Sequence, residues 1–166
     1  MNIRDITNND IQQILRLNEE SVYYLSPLNA QKLSKLITQA KYHKLIVIGD
    51  KVVAFILAFD RDADYDSPNY QWFKTRYNSF LYIDRIVVSS EYRRMGLADS
   101  IYNDIIDFAN NCHYEYLTCE INILPPNPGS IQFHDKHKFV EVGTQWLYNK
   151  EKQVSLRERK IIRENN

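Results

Sequence analysis

Apolar residues near the N-terminus recur at the spacing of amphipathic helices. The segment Asn8-Asn9-Asp10 offers side chains that can cap a helix, and an apolar rhythm follows it at Ile11, Ile14, Leu15 and Val22. This pattern predicts a helix over residues 9–24. After the turn-like segment 26–29, a helix is predicted over residues 29–41 from a second apolar rhythm at Leu33, Leu36, Ile37 and Ala40.

The middle of the chain alternates between β-rich runs and one polar, aromatic stretch. Residues 45–48 and 52–57 are mostly aliphatic, and Gly49-Asp50-Lys51 joins them in a way that is typical of a β-hairpin. Residues 60–78 have neither the period of a strand nor that of a helix, so we expect an irregular segment there. Residues 80–88 favour a strand again.

The C-terminal half predicts two further helices and three further strands. An apolar stripe makes residues 96–111 an amphipathic helix, and a strand over 116–123 and a short helix over 128–137 are expected to follow. Residues 139–142 and 145–149 are predicted to form a closing pair of strands across a Gly-Thr turn.

The order of these elements predicts helices packed on a mixed sheet, which is an α/β or α+β fold in three layers. No repeat and no change in composition marks an internal boundary. We therefore expect one domain over residues 1–150. Residues 151–166 form a charged C-terminal extension, which either adds a final strand or frays.

Composition excludes several classes of protein. The 166 residues carry 21 basic and 21 acidic side chains, so no net positive field favours nucleic acid or an anionic membrane surface. No apolar run approaches the length of a membrane span, and no apolar leader is present, so a cytoplasmic location is expected. Cys112 and Cys119 fit neither a disulfide framework nor a metal site, so no metal is expected.

The segment 83–98 carries the most chemical information. A β-rich run leads through a turn into a helix that opens at Gly96, and the N-terminus of a helix attracts anions. Gly96 and Ala98 allow the backbone to approach an anion closely, and Arg93 and Arg94 add positive charge. The longer phosphate loop that ends in Gly-Lys-Ser/Thr does not occur, which disfavours nucleotide triphosphate hydrolysis.

The spacing Arg93-x-x-Gly96-x-Ala98 between a strand and a helix resembles the acetyl-CoA signature of the GNAT acetyltransferase superfamily. The segment from Asn127 to Phe139 is similar to a later family pattern, in which an Asn precedes a short helix bearing Phe-Tyr and then Gly-Phe. The resemblance implies a mixed, mostly antiparallel sheet flanked by helices, in the order β-α-α-β-β-β-α-β-α-β-β. An uncharacterised bacterial-type GNAT subgroup shares segments similar to Leu25-Ser26-Pro27, 65–70 and Cys119-Glu120-Ile121-Asn122.

The resemblance also implies where acetyl-CoA, the expected co-substrate, would bind. The family uses main-chain groups of the strand for the pantetheine arm, which corresponds to Ile86, Val87 and Val88 here. Asn127 would meet the coenzyme from the other side of the cleft. The pyrophosphate would lie on the loop and the first helical turn, which comprise Arg93, Arg94, Met95, Gly96, Leu97, Ala98, Asp99 and Ser100.

Two residues depart from the family pattern. His134 replaces the usual Tyr that protonates the leaving thiolate, and Lys138 replaces the usual Gly before the final Phe. His134 can act as a proton donor or can be a packing residue.

The expected reaction is attack of an amine on the thioester, for which a carboxylate facing the cleft is the natural base. Asp84 and Glu120 are the two candidates, and for each the alternative is a structural pair with an Arg. Strict alternation places Tyr82, Asp84, Ile86 and Val88 on one face of the strand and Arg85 on the opposite face. Either Asp84 points at the thioester and Arg85 points away, or the two faces are reversed.

Acceptor recognition is expected from the first helices and the irregular segment. Asn18 interrupts an apolar helix face, so a polar group should lie opposite it. A pocket for a small cationic or polar amine is therefore predicted, lined by Asn18, Glu19, Tyr70, Trp72 and Tyr82. The alternative is that the aromatic residues of this segment serve packing. A protein or peptide acetyltransferase, or a coenzyme-A-binding module without turnover, are the alternatives, and a homodimer is left open.

Overall fold

The computed structural model describes residues 1–162, which form seven strands and five α-helices. The strands are β1 (Asn2–Asp5), β2 (Tyr42–Ile48), β3 (Lys51–Asp60), β4 (Phe80–Val88), β5 (Tyr116–Leu124), β6 (Val140–Leu147) and β7 (Lys152–Lys160). The helices are α1 (Ile11–Glu20), α2 (Ala30–Gln39), α3 (Pro68–Lys74), α4 (Leu97–Asn111) and α5 (Pro128–Lys136).

One seven-stranded sheet runs in the order β1-β2-β3-β4-β5-β7-β6. All neighbouring strands are antiparallel except β4 and β5, which are parallel. The β4–β5 pairing begins at Phe80 with Tyr116 and ends at Tyr82 with Thr118. Beyond that point the two strands diverge and open a cleft in the middle of the sheet. The predicted mixed α/β fold with a mostly antiparallel sheet is confirmed.

Helices cover both faces of the sheet and bury two apolar cores. On one face, α1, α2 and α3 pack over residues such as Phe55, Phe80 and Tyr82. On the opposite face, α4 packs over residues such as Ile56 and Ile83. The cleft between β4 and β5 therefore connects two faces that carry different helices, and the two faces can serve different ligands.

The first helix and the segment predicted to be irregular both differ from the prediction. The first helix ends at Glu20 rather than continuing to residue 24, and residues 21–25 turn away from its axis. The segment 60–78 is not wholly irregular, because α3 occupies Pro68–Lys74. Pro68 lies in the first turn of α3, where a proline is tolerated, but seven residues are too few to show a helical period.

The predicted pair of strands across residues 143 and 144 is wrong. Residues 140–147 form one strand, β6, in which a register shift between Glu141 and Gly143 takes up the extra residue. The partner of β6 is β7, which also pairs with β5 and therefore lies inside the sheet. The C-terminal segment was predicted either to add a strand or to fray. It adds a strand over residues 152–160, and residues 163–166 lie outside the described part of the chain.

Lys138 occupies a backbone conformation that favours glycine. Its φ is +64°, in the left-handed region, directly after the end of α5. We expect Lys138→Gly to raise the free energy of unfolding by about 0.5 to 1 kcal/mol, because relief of steric strain exceeds the extra flexibility of the unfolded chain. Thermal denaturation should show an increase in Tm of about 1 to 4 °C. Lys138→Ala keeps the Cβ and is the control, and an equal gain for Ala would contradict the strain argument.

Candidate active site

A cavity of about 400 Å³ lies in the cleft where β4 and β5 diverge. The predicted coenzyme residues Ile86, Val87 and Val88 line it from β4, and Asn127 lines it from the start of α5. The three predicted catalytic residues also line it. The other lining residues come from the segment after α1, from β4 and β5 and from α4 and α5, and include Ser21, Tyr24, Leu25, Arg85, Arg93, Ala98, Tyr102, Asn122, Ser130 and Phe133.

A β-bulge at Asp84 overturns the predicted alternation along β4. Leu57 of β3 pairs with Arg85, but the next residue, Ala58, pairs with Ile83, so Asp84 is an extra residue in β4. Asp84 and Arg85 consequently lie on the same face of the sheet, the face covered by α1. Ile86 and Val88 lie on the opposite face with α4. The expectation that Asp84 and Arg85 point to opposite faces was wrong, because the bulge shifts the alternation by one residue.

Asp84 and Arg85 form a buried ion pair at one end of the cavity. Arg85 Nε donates to Asp84 Oδ2 over 2.8 Å, and the two side chains are only 3% and 5% exposed. Tyr65 Oη donates to Asp84 Oδ1 over 2.5 Å, so both carboxylate oxygens accept hydrogen bonds. The opposite charges of the pair balance each other, and both carboxylate oxygens of Asp84 have partners within the protein.

Asn18 does not line the cavity, but it supports the ion pair of Asp84 and Arg85. Its Oδ1 accepts from Arg85 Nη1 over 3.0 Å, and its Nδ2 donates to the Ser26 carbonyl over 3.1 Å. The Ser26 hydroxyl accepts from Arg85 Nη2 over 3.1 Å. The polar group expected opposite Asn18 is therefore the Arg85 guanidinium, and Asn18 holds that guanidinium in place.

Glu120 has a different environment from Asp84. It lies on β5, lines the cavity, and accepts a hydrogen bond of 2.5 Å from Tyr82 Oη. Burial and the negative charge of Asp84 raise the pKa of Glu120 to about 8, although the hydrogen bond from Tyr82 opposes that shift. A carboxyl group that titrates near neutral pH inside a cavity is suited to accept and release a proton.

His134 lines the cavity but its ring nitrogens are both engaged. Nδ1 lies 2.7 Å from the Ser130 carbonyl, which can only accept, so Nδ1 carries the proton. Nε2 lies 2.6 Å from Tyr102 Oη and accepts the hydroxyl proton. Burial lowers the pKa of His134 to about 4, so the ring is neutral at physiological pH. Of the two predicted roles, proton donor or packing residue, the contacts favour packing, because the Nδ1 proton is donated to the Ser130 carbonyl.

The low pKa of His134 makes stability depend on pH. The pKa in the folded chain is about 4 and that of an unfolded His about 6.5, so the unfolded chain binds the proton first as pH falls. This group is expected to reduce the free energy of unfolding by about 2 kcal/mol between pH 7 and pH 5, and no further loss is expected below pH 4.

Urea denaturation at both pH values would measure this loss, with His134→Gln as the control that cannot titrate. The wild type should lose about 2 kcal/mol more than the variant. Equal losses would contradict a buried, neutral His134.

The loop before α4 has the backbone that an anion site requires. Gly96 has φ +77° and immediately precedes α4, and Arg94 also has a positive φ of +62°. A Cβ at Gly96 would meet nothing within 4 Å, so the glycine is needed for its conformation rather than for space within the protein. The first amide groups of α4 therefore face outward from a tight turn, where they can bind an anion.

The predicted coenzyme residues of this loop are not equivalent. Arg93 and Ala98 line the cavity, whereas Arg94 and Met95 are exposed and Leu97, the first residue of α4, is buried. The side chains of Asp99 and Ser100 make hydrogen bonds within the protein.

Asp99 accepts from Lys136 Nζ over 2.9 Å and from His137 Nε2 over 2.7 Å, which links α4 to α5. The Ser100 hydroxyl donates to the Gly96 carbonyl over 3.1 Å.

Asn127 caps α5 at the other side of the cavity. Its Oδ1 accepts from the Ser130 backbone amide over 3.3 Å, and Pro128 follows as the first residue of the helix. The predicted position of Asn127 across the cleft from β4 agrees with this geometry.

The cavity lining contains none of the five residues that were predicted to bind the acceptor, namely Asn18, Glu19, Tyr70, Trp72 and Tyr82. Tyr70 is buried and donates to the Asp60 carbonyl over 2.6 Å, and Glu19 is exposed on α1. Trp72 covers Gly143 of β6, where a Cβ would lie 2.7 Å from its ring. Tyr82 is buried beneath Glu120. These aromatic side chains mainly pack α3 against the sheet, which is the alternative that the sequence left open.

The segment after α1 forms the wall that sequence reasoning missed. Ser21, Tyr24 and Leu25 line the cavity. Tyr24 Oη donates to the Pro126 carbonyl over 3.4 Å, and the Tyr24 carbonyl accepts from Lys152 Nζ over 3.4 Å and from Asn122 Nδ2 over 3.5 Å. The nearest sequence signal was the resemblance of Leu25-Ser26-Pro27 to the subgroup, which gave no reason to place that segment at the cleft.

The profile of the Acetyltransferase (GNAT) family matches residues 8–139, and the chain belongs to this family. A comparison with curated proteins found no match. Within residues 1–162, no helix is long and apolar enough to cross a membrane.

Many solved structures share the fold. Ard1 from Thermoplasma volcanium superposes with a TM-score of 0.81 at 16% identity, with 98% of each chain covered. The ribosomal-protein-S18-alanine N-acetyltransferase from Escherichia coli gives a TM-score of 0.73 at 13% identity, covering 99% of this chain and 96% of that one. Naa20 from Chaetomium thermophilum, solved with a bisubstrate analogue, gives 0.77 at 12% identity, covering 97% and 87%. At these identities the likeness establishes the fold.

Proposed function

We propose that the protein transfers an acetyl group from acetyl-CoA to the amine of a small molecule, by direct attack in a ternary complex. The observation that carries this proposal is one cavity that joins three features. Its lining includes Arg93 and Ala98 from the turn before α4, the Glu120 carboxyl group from β5, and Ser21, Tyr24 and Leu25 from the segment after α1.

The chain's own groups fit the coenzyme. Residues 86–88 of β4 pair with β3 on one side, while the pairing with β5 has already ended at Tyr82. The main-chain groups on the β5 side of these residues are therefore available for the amides of a pantetheine arm. The turn at Gly96 and the Arg93 side chain are suited to a pyrophosphate, and Asn127 closes the opposite side. Acetyl-CoA supplies the activated acyl group.

Glu120 is the base in this proposal. It takes a proton from the acceptor ammonium, directly or through water, so that the amine nitrogen can attack the thioester carbon. Asp84 is retained as a neighbour that raises the pKa of Glu120 by its charge, because both of its own oxygens are already hydrogen-bonded.

His134 has a positioning role in this proposal. The neutral ring holds Tyr102 and the first turn of α5 in place. Protonation of the departing thiolate is assigned to water, because a thiolate is already an adequate leaving group near neutral pH.

A small acceptor is favoured over a peptide by the contacts of Tyr24. A peptide substrate needs an open groove, whereas Tyr24 connects the segment after α1 to residues 122, 126 and 152 across the end of the cleft. The cavity has a volume of about 400 Å³, which is in the size range of small-molecule sites.

The test is release of free thiol from acetyl-CoA against a panel of amino acids, polyamines, aminoglycosides and peptides. Amine-dependent release with a small acceptor supports the proposal, and Gly96→Glu is the matched control because it removes the coenzyme rather than the acceptor. Release with peptides alone would favour a peptide acetyltransferase. Coenzyme binding without release for any amine would favour a binding module without turnover.

A further inference from the structure

Tyr82 lies at the point where β4 and β5 separate. It is the last residue of β4 that pairs with β5, opposite Thr118, and its side chain is fully buried. Its ring packs against the rings of Tyr70 and Phe73, with centroid distances of 5.7 and 5.9 Å. Backbone pairing and aromatic packing therefore fix the position of the hydroxyl group at the end of this ring.

The Tyr82 hydroxyl holds one oxygen of Glu120. Tyr82 Oη donates to Glu120 Oε2 over 2.5 Å. Within residues 1–162, no other side chain donates a hydrogen bond to this carboxylate. Glu120 lines the cavity whereas Tyr82 does not, so the hydroxyl meets the carboxylate from within the protein. Oε1 is therefore the oxygen that remains to take a proton from the cavity.

The neighbouring carboxylate of Asp84 is held in a different way. Its two oxygens accept from Tyr65 Oη and from the positively charged Arg85 Nε. Glu120 has a single side-chain donor, and that donor is neutral. Because a hydrogen bond to the ionised form of a buried acid stabilises that form, the ionisation of Glu120 depends on the Tyr82 hydroxyl.

We propose that Tyr82 is a positioning residue for the base, whose hydroxyl orients Glu120 with Oε1 toward the acceptor amine and stabilises the ionised carboxylate. This inference rests on the proposed function and describes how the same site is kept ready to take up a proton. Burial raises the pKa of Tyr82 well above its ordinary value, so Tyr82 keeps its own proton. It acts through Glu120 and does not contact the acceptor.

Charged groups of the neighbouring strands also act on Glu120. Burial and the charge of Asp84 raise its pKa, and the hydrogen bond from Tyr82 and the charge of Lys152 lower it. Arg85 balances the charge of Asp84. Replacing Tyr82 with Phe keeps these three charged side chains, so a change in the pKa of Glu120 would report the loss of the hydroxyl.

The other titratable groups near Glu120 do not ionise with it. Burial raises the pKa of Tyr65 in the segment before α3, of Tyr102 on α4 and of Cys119 on β5. Tyr24, in the segment after α1, donates its hydroxyl proton to a backbone carbonyl. A limb of the pH profile near pH 8 is therefore assigned to Glu120.

The test compares the pH profiles of the wild type, Tyr82→Phe and Tyr77→Phe with the same small amine. Tyr82→Phe should move the rising limb of kcat/KM up by about one pH unit, because a hydrogen bond to an ionised group is lost. At pH 7 its kcat/KM should be about tenfold lower than that of the wild type, and the two values should converge above the limb. Tyr77→Phe is the control and should keep the wild-type profile, because Tyr77 donates to Glu158 over the same 2.5 Å but lies outside the cavity lining.

A second measurement does not need turnover. The carboxyl carbon of Glu120, identified by NMR through its loss in Glu120→Gln, should titrate at a higher pH in Tyr82→Phe than in the wild type. A 3-fluorotyrosine in place of Tyr82 is a stronger donor of nearly the same shape and should move this titration to lower pH. A general loosening of the packing cannot produce shifts in both directions.

The outcomes separate the two proposals. An unchanged Glu120 titration in Tyr82→Phe, or a loss of rate that is equal at every pH, overturns the inference, while amine-dependent thiol release still supports the proposed function. A shifted titration in a protein that releases no thiol with any amine overturns the proposed function, and the control of Glu120 ionisation by Tyr82 stands. Absence of both signals overturns both.

Discussion

Replacing Glu120 with Gln is expected to reduce kcat by about 10²- to 10⁴-fold, which is the usual contribution of a positioned general base. Gln has nearly the same shape and can still accept the hydrogen bond from Tyr82 Oη, so folding and coenzyme binding should be unchanged. Thiol release at saturating amine measures kcat, and calorimetric titration with coenzyme A measures binding. Glu115→Gln is the matched control, because Glu115 is exposed just before β5.

The pH dependence of kcat/KM tests the role of Glu120 a second time. A base acts when it is deprotonated, so the wild-type kcat/KM should increase with pH and level off above the pKa of Glu120, about 8. The limb near pH 8 should be absent from Glu120→Gln. A variant that kept both its rate and this limb would exclude Glu120 and return the role of base to Asp84.

Gly96→Glu is expected to weaken coenzyme A binding by at least about 100-fold. A residue with a Cβ pays roughly 1 to 2 kcal/mol to keep the left-handed conformation that Gly96 has at φ +77°. The new carboxylate would also stand where the pyrophosphate is proposed to bind and would repel it. Calorimetric titration with coenzyme A would measure the loss of affinity directly.

Gly49→Glu separates these two effects. Gly49 has φ +63° in the turn between β2 and β3, and a Cβ there also meets nothing within 4 Å. Both variants should lose a similar amount of stability, but only Gly96→Glu should lose coenzyme affinity. Unchanged affinity in Gly96→Glu would remove the pyrophosphate site from this loop.

Sequence patterns were sufficient for the larger elements and for the turn from strand to helix at Gly96. Long apolar stripes such as that of α4 report burial directly, and the motif at Gly96 lies where a strand meets a helix. The hairpin of β2 and β3 was equally clear, because two aliphatic runs flank a glycine turn. In each of these cases the local sequence contains the physical cause of the structure.

The acceptor side depended on features that local sequence does not encode. The bulge at Asp84 is set by the pairing of β4 with β3, so strict alternation failed there. The tautomer of His134 is set by Ser130 and by Tyr102 of a different helix. β7 pairs with β5 although the 27 residues 125–151 lie between them, a pairing that a search for adjacent strands cannot find. Long-range contacts decide all three.

The bulge in β4 gives one strand two independent sides. The successive residues Asp84 and Arg85 both face the side of the sheet covered by α1, whereas Ile86 and Val88 face α4. Under the proposed function, changes in the helices and loops on the α1 side can therefore alter which amine is accepted without moving the main-chain groups of residues 86–88 that are proposed to bind the coenzyme. This separation allows an unchanged acyl donor site to be combined with new acceptors as the sequence diverges.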